Sequence, residues 1–164
     1  MSTRIIWENP DGTTSVLNPV LTCINPATGE NFTIEEIAAK DVPAGITTYS
    51  IVDNSVLPSD RNFRDAWKGV NIGVSGVPSV VEEDLDKAKE LHKTNIRTAR
   101  TPKLQALDVE FQKAQETSAG ITTIVAKKQA LRDAPAAAGI ATAANTTELK
   151  AQWDTSILGD SPYS

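Results

Sequence analysis

The sequence predicts an α+β protein in which a small β-containing N-terminal domain precedes a long helical hairpin and a C-terminal arm. Short apolar runs separated by turn residues fill residues 1–68, a pattern typical of short strands. Apolar residues three and four positions apart fill residues 80–134, a spacing that indicates amphipathic helices. Between them, residues 69–79 hold three glycines and are predicted to be a linker or an edge strand. Residues 135–164 form an Ala-rich arm with a short terminal helix.

The N-terminal domain is expected to open with a β-hairpin. Residues 4–7 are an apolar run, and Asp11 with Gly12 makes a strong hairpin turn motif. The second strand is expected over residues 14–21. Pro19 confines that strand to a sheet edge or ends it early, because proline cannot donate a ladder hydrogen bond.

The rest of this domain is predicted to alternate short helices and one strand. Thr33 and Glu36 have the spacing of a capping box and open a helix that ends near Lys40. Residues 47–52 have strand composition. Residues 59–67 are predicted to be helical, with their apolar side chains three and four positions apart.

The helical hairpin is predicted to start at an acidic cluster and to change direction once. Four carboxylates lie in the predicted first turn, where they would interact favourably with the positive end of the helix dipole: Glu82, Glu83, Asp84 and Asp86. Ser79 is the candidate N-cap. Pro102 predicts either a kink or a new helix with Thr101 as its cap. The return helix covers residues 121–133, and Lys128 lays its stem along its apolar face.

The first half of the long helix carries an apolar stripe that the return helix is too short to cover. The stripe contains Leu85, Ala88, His92, Ile96 and Ala99. We therefore expect it to pack on the N-terminal half or on a second chain. The predicted partner-binding residues are Leu85, His92, Ile96 and Ala99, together with Trp153 and Tyr163 of the arm.

Composition narrows the class of protein. The net charge of −5 argues against nucleic acid as the main partner. The basic residues between Lys87 and Lys103 have acidic neighbours at helical spacing, which favours a solvated helix face. Cys23 is the single cysteine, so an intrachain disulfide is impossible. We expect no signal peptide and no membrane span, because no apolar run is long enough for either.

Residues that carry catalysis or bind metals do not form a recognisable set. His92 is the single histidine, and its place in a helix stripe favours packing over catalysis. Residues 73–76 resemble a nucleophile elbow but lack its second spacer. We expect no enzymatic activity, no cofactor and no metal site.

Two stretches resemble small tail-region structural proteins of tailed bacteriophages. The first stretch comprises residues 41–45, 49–53 and 57–67, which ends in Asn-Phe-Arg-Asp-Ala-Trp. The second comprises residues 99–108, 128–135 and 148–153. The Gln-Ala-Leu-Arg-Asp-x-Pro piece at residues 129–135 is also similar to the C-terminal motif of phage tail fibre assembly chaperones. The tryptophan and tyrosine that usually precede that motif are replaced here by residues 124–127, Ile-Val-Ala-Lys.

This resemblance implies a structural component of a phage tail, at the baseplate or at a tail-fibre junction. Its partners would be other tail, baseplate or fibre proteins, with an oligomeric arrangement in the particle. The protein would be made in the host bacterial cytoplasm and located in the virion. An assembly chaperone absent from the mature virion is the alternative. A nucleic-acid-binding protein that uses the basic residues between Lys87 and Lys103 is a third hypothesis.

Overall fold

The chain divides into two compact units in a computed structural model that describes residues 2–163. The first unit is Met1–Asp84 and the second is Leu85–Ser164. The boundary between the units therefore follows Asp84. The sequence pattern placed it earlier, within residues 69–79. The α+β class predicted from the sequence is confirmed, with the strands in the first unit and most of the helices in the second.

A three-stranded antiparallel sheet forms the centre of the first unit. Its strands are β1 (Thr3–Glu8), β2 (Thr14–Leu17) and β3 (Ser50–Asp53), arranged in the order β2-β1-β3. The β1–β2 hairpin turns at Gly12, whose φ of 75° suits a residue without a side chain. The predicted second strand is shorter than expected and ends two residues before Pro19.

The two faces of this sheet are covered by different elements, because successive strand residues point to opposite faces. On one face, Ile5 and Trp7 pack with the buried residues Ile37 and Ala38 of helix α1 (Ile34–Asp41). The capping box predicted at Thr33 and Glu36 is present in both directions. The opposite face, around Ile6, packs on Leu57, Trp67 and Val81.

The segment around residues 69–79 is the loop of a second hairpin, which corrects two predictions. Strands β4 (Trp67–Val70) and β5 (Val80–Glu83) pair antiparallel, so residues 80–83 are a strand and not a helix start. Buried Val81 packs with Trp67, and this tertiary contact outweighs the local preference of the acidic cluster. The α-helix predicted over residues 59–67 is also absent from the described chain: a turn and a 3₁₀ helix (Arg64–Ala66) precede β4, which begins at Trp67. Phe63 is fully buried, as its spacing predicted.

Helix α2 (Leu85–Glu116) is one continuous helix of 32 residues, about 48 Å long. Pro102 lies inside it, so the predicted helix boundary at Thr101 is wrong, while the kink remains a prediction. The Thr98 and Thr101 hydroxyls each donate to the carbonyl four residues earlier, at 3.1 and 2.8 Å. Such bonds often accompany bent helices.

Helix α3 (Thr122–Asp133) returns along the second half of α2, as predicted. The Lys128 ammonium pairs with Asp108 at 2.5 Å and lies 4.7 Å from the centre of the Phe111 ring. The stem of Lys128 therefore runs along the apolar contact, which agrees with its predicted placement.

The C-terminal arm is folded onto α2. It contains a 3₁₀ helix (Ala134–Ala136) and three short helices: α4 (Ala138–Thr142), α5 (Thr146–Lys150) and α6 (Thr155–Leu158). Its buried apolar residues include Ile140, Ala143, Leu149, Trp153 and Leu158. Residues 135–145 have no regular apolar stripe in the sequence, yet they pack on α2 through single buried side chains such as Ile140 and Ala143.

Candidate docking surfaces

The apolar stripe predicted to face a partner is part of the core of the second unit. His92 and Ala88 are fully buried, and Ile96 is 1 % exposed. Leu85 and Ala99 are half-buried. Side chains this inaccessible cannot contact another chain while the unit is folded.

Two aromatic residues of the arm cover His92. The Tyr163 ring stacks on the imidazole at a centroid distance of 5.6 Å. The Trp153 ring meets the imidazole edge-on at 6.1 Å, and its indole N–H donates to the Gly159 carbonyl at 2.9 Å. We call these three residues the His92 cluster. The stripe was predicted to pack on the N-terminal half or on a second chain, but at His92 it packs on the C-terminal arm of its own unit.

Polar contacts fix the His92 cluster as well. His92 Nδ1 lies 2.7 Å from the Tyr163 hydroxyl, which also accepts a hydrogen bond from the Asn95 amide at 3.2 Å. Burial lowers the pKa of His92 from 6.5 to about 4 because an imidazolium there would lose its hydration. Burial also raises the pKa of Tyr163. The imidazole is therefore neutral at physiological pH, as a core residue requires.

The predicted partner-binding role of these residues is consequently wrong for His92, Ile96 and Trp153. Each is at least nine-tenths buried within its own unit. Tyr163 is half-buried against His92. The functional surfaces must lie elsewhere, and two grooves stand out.

The first groove lies along β3 in the first unit and encloses about 500 Å³. Residues 49–53 form one wall and the β4–β5 loop forms the other; we call it the β3-edge groove. Three of its side chains are large, apolar and exposed, Ile51 at 39 %, Val74 at 49 % and Val77 at 44 %. Exposed apolar residues concentrated in one groove are typical of interaction sites.

Hydrogen bonds through Ser50 hold the second wall beside β3. The Gly73 N–H donates to the Ser50 hydroxyl at 2.8 Å, and the Ser50 and Ser79 hydroxyls are hydrogen-bonded at 2.8 Å. The Ser79 hydroxyl donates to the Asn71 carbonyl at 2.9 Å. Gly73 has a φ of 72°, and a Cβ there would lie 2.9 Å from Thr48 Cβ. The loop therefore depends on glycine at this position. The groove is a built feature of the fold because its two walls are tied together.

The backbone of β3 that faces this groove is unpaired. β3 has β1 as its one neighbour in the sheet. In an antiparallel pair, residues that exchange hydrogen bonds alternate along the strand. The Asn54 N–H donates to the Ser2 carbonyl at 2.8 Å, so Asn54 is one of the residues that bond to the neighbouring chain. Because such residues alternate, Val52 and Ser50 also form their backbone hydrogen bonds with β1. The N–H and C=O of Ile51 therefore point away from β1, and no described residue binds them.

The second groove lies in the second unit and encloses about 430 Å³. Four basic side chains line it, Lys93, Arg97, Arg100 and Arg132; we call it the basic groove. The sequence assigned the first three to a solvated helix face. It could not show that α3 brings Arg132 beside them, because that depends on how the two helices pack.

Arg100 holds the end of α3 in place. Its Nη1 donates to the carbonyls of Leu131 and Arg132 at 3.2 and 2.7 Å. The last carbonyls of a helix have no partner inside it, and a cation there also suits the helix dipole. The motif at residues 129–135 is therefore fixed by a structural contact to α2.

Replacing Arg100 by Ala should lower the free energy of unfolding of the second unit by about 2 kcal/mol, because charged hydrogen bonds contribute about that much. Urea unfolding followed by circular dichroism measures it. Arg97→Ala is the matched control on the same helix, and an equal loss in both variants would contradict the capping role.

Metal-binding and membrane-spanning features were sought in residues 2–163. No three His, Cys, Asp or Glu side chains in that range are grouped so that they could hold a metal ion. Of the helices it contains, none combines the length and the apolar character that crossing a membrane requires.

Sequence reasoning missed the side chains that make these grooves. Val74 and Val77 lie in the segment predicted as linker or edge strand, and Ile51 lies in a predicted strand. Alternation within β3 is too short to show which edge stays open. No local motif distinguishes Arg132 from a solvent-exposed arginine.

No family model matches this chain, and neither a curated protein nor a solved structure matches it.

Proposed function

We propose that this protein is a structural component of a bacteriophage tail, located at the baseplate or at a tail-fibre junction, and that it acts by docking other proteins. The tail assignment is supported by the sequence resemblance of residues 41–67 and 99–153. The docking mode is supported by one structural observation, the open β3 edge beside exposed apolar side chains.

The β3-edge groove fits an extended segment of a neighbouring tail protein. Such a segment would add a strand beside β3 and bond to the outward N–H and C=O of Ile51. Val74 and Val77 would contact its apolar side chains. Strand addition needs these two elements, unpaired backbone groups for affinity and side-chain contacts for specificity.

The sequence of the β3 edge has none of the residues that commonly oppose pairing. Sheet edges are commonly blocked by lysine, by proline or by a bulge. The four residues of β3, Ser-Ile-Val-Asp, include neither lysine nor proline, and their pairing with β1 is regular. The one charge is Asp53 at the end of the strand, where the Ser55 backbone N–H lowers the pKa of its carboxyl.

Replacing Ile51 by Lys should block docking and leave the protein folded. A lysine on an edge strand opposes pairing with another strand, and Ile51 is exposed enough to be replaced. We expect at least about a tenfold loss of the protein from purified particles, as for loss of a central interface contact. Quantitative mass spectrometry of particles produced with the variant gene measures this loss.

Val109→Lys is the matched control, because Val109 is an exposed apolar residue on α2, at 51 % against 39 % for Ile51. Normal incorporation of the Ile51 variant would contradict docking at β3. If the wild-type protein is abundant in infected cells but missing from particles, the structural role fails and the tail fibre assembly chaperone is favoured.

A further inference from the structure

The basic groove carries a second inference, which does not depend on the β3-edge groove. Its four basic residues come from two consecutive helices, with Arg132 of α3 lying 32 residues after Arg100 of α2. They lie together in a protein whose net charge is −5. Among residues 2–163, no acidic side chain lines the groove. A local concentration of one charge in a chain of the opposite sign attracts oppositely charged ligands.

Two of these cations make no direct contact with an acidic side chain in the described part of the chain, although the Glu90 carboxylate that pairs with Lys93 also attracts Arg97. Lys93 pairs with Glu90 at 2.7 Å, and Arg100 is used by the carbonyls at the end of α3. Neither Arg97 nor Arg132 forms a salt bridge or a side-chain hydrogen bond with any residue in the described part of the chain. Their guanidinium groups are therefore available to a ligand.

The floor of the groove is apolar. It consists of Pro135, Ile140 and the alanines at 136, 137 and 141. The Lys89 ammonium donates to the Ala141 carbonyl at 2.9 Å, which ties α4 to α2 and keeps this floor in position. A ligand that fits this groove has carboxylates to contact the basic side chains and small apolar groups to contact the floor.

We propose that the basic groove binds an acidic segment of a partner protein, with glutamate or aspartate side chains on Arg97 and Arg132. Guanidinium groups bind carboxylates through two parallel hydrogen bonds. An acidic segment fits better than nucleic acid for two reasons. No aromatic side chain lines the groove to stack on bases, and its floor is apolar where a phosphate chain would need further cations.

Fluorescence anisotropy with the full chain tests this proposal. The probe is a labelled decapeptide of glutamate, leucine and alanine. Two comparison probes are the same peptide with glutamine for glutamate, and a single-stranded DNA decamer. We expect the acidic peptide to bind, the glutamine peptide to bind at least about tenfold more weakly, and the affinity to fall with added salt.

The double variant Arg97→Ala with Arg132→Ala should weaken the acidic peptide by at least about tenfold. Its matched control replaces Lys113 and Lys127 by Ala, two exposed lysines of the same two helices that lie outside the groove. This control changes the net charge equally and should bind as the wild type does. Should the first variant unfold, Arg97→Lys with Arg132→Lys keeps the charge, removes the bidentate contacts, and should bind with intermediate affinity.

Three results would overturn the proposal. Absence of binding by the acidic peptide would exclude the groove as an acidic-segment site. Equal losses in the groove and control variants would show a net-charge effect without a site. Tighter binding of the DNA probe, lost in the groove variant, would assign the groove to nucleic acid instead. None of these results bears on the β3-edge groove, which is tested by particle incorporation.

Discussion

Replacing Ile96 by Asp is expected to unfold the second unit. Ile96 is 1 % exposed and lies one helical turn from His92. The variant removes a buried apolar side chain, at a cost of about 2–5 kcal/mol, and places a carboxylate at a site that water does not reach. An uncompensated buried charge costs about 3–5 kcal/mol. The sum is comparable with the whole stability of an ordinary domain, about 5–15 kcal/mol.

Circular dichroism measures this outcome directly, because the second unit contains all but one of the α-helices. We expect a large loss of helical signal at 25 °C or a transition at much lower urea concentration. Val109→Asp is the control on the same helix, and its exposed position should make it nearly neutral. An Ile96 variant that keeps its full helical signal and its stability would show that the stripe is not enclosed.

Lowering the pH from 7 to 4 should destabilise the second unit through His92. The pKa of His92 is 6.5 in an unfolded chain and about 4 in the folded protein. Between these values the unfolded chain binds a proton that the folded protein does not bind. Stability is therefore complete above pH 6.5 and falls as the pH approaches 4. The difference corresponds to about 3 kcal/mol.

Urea unfolding at pH 7, 5.5 and 4.5 measures this dependence. His92→Phe removes the titrating group but keeps an aromatic ring between Trp153 and Tyr163. Tyr163, the ionisable residue stacked on His92, has a raised pKa and does not titrate in this range. The carboxylates titrate in both proteins, so the difference between the two curves isolates His92. If the unfolding free energies of the wild type and of His92→Phe change with pH in parallel, burial of a neutral imidazole does not cause the loss of stability at low pH.

Features that depend on a few neighbouring residues were predictable from the sequence. The turn at Gly12 and the capping box at Thr33 involve contacts within four residues, and both are present. The α2–α3 hairpin was predictable because two long helices joined by a short turn must pack against each other. Strand β5 was not, because its conformation is decided by pairing with Trp67 at a distance in sequence.

The candidate sites were less predictable than the fold. The apolar stripe on α2 was identified correctly as a surface that needs a partner, but its partner lies 61 to 71 residues away, at Trp153 and Tyr163. The sequence pattern shows that a face must be covered and does not show by what. The open β3 edge and the basic groove depend on which strand lies outermost and which helix ends meet. Neither property has a local pattern.

The distance in sequence between His92 and Tyr163 also affects how the second unit forms during synthesis. α2 is made first, and its apolar face stays open until residue 163 has left the ribosome. Until the arm has been synthesised and packs on it, this helix of 32 residues exposes apolar surface to other nascent chains. The first unit has all its strands complete by residue 83 and can close earlier. The first unit can therefore be folded while the arm of the second unit is still being made.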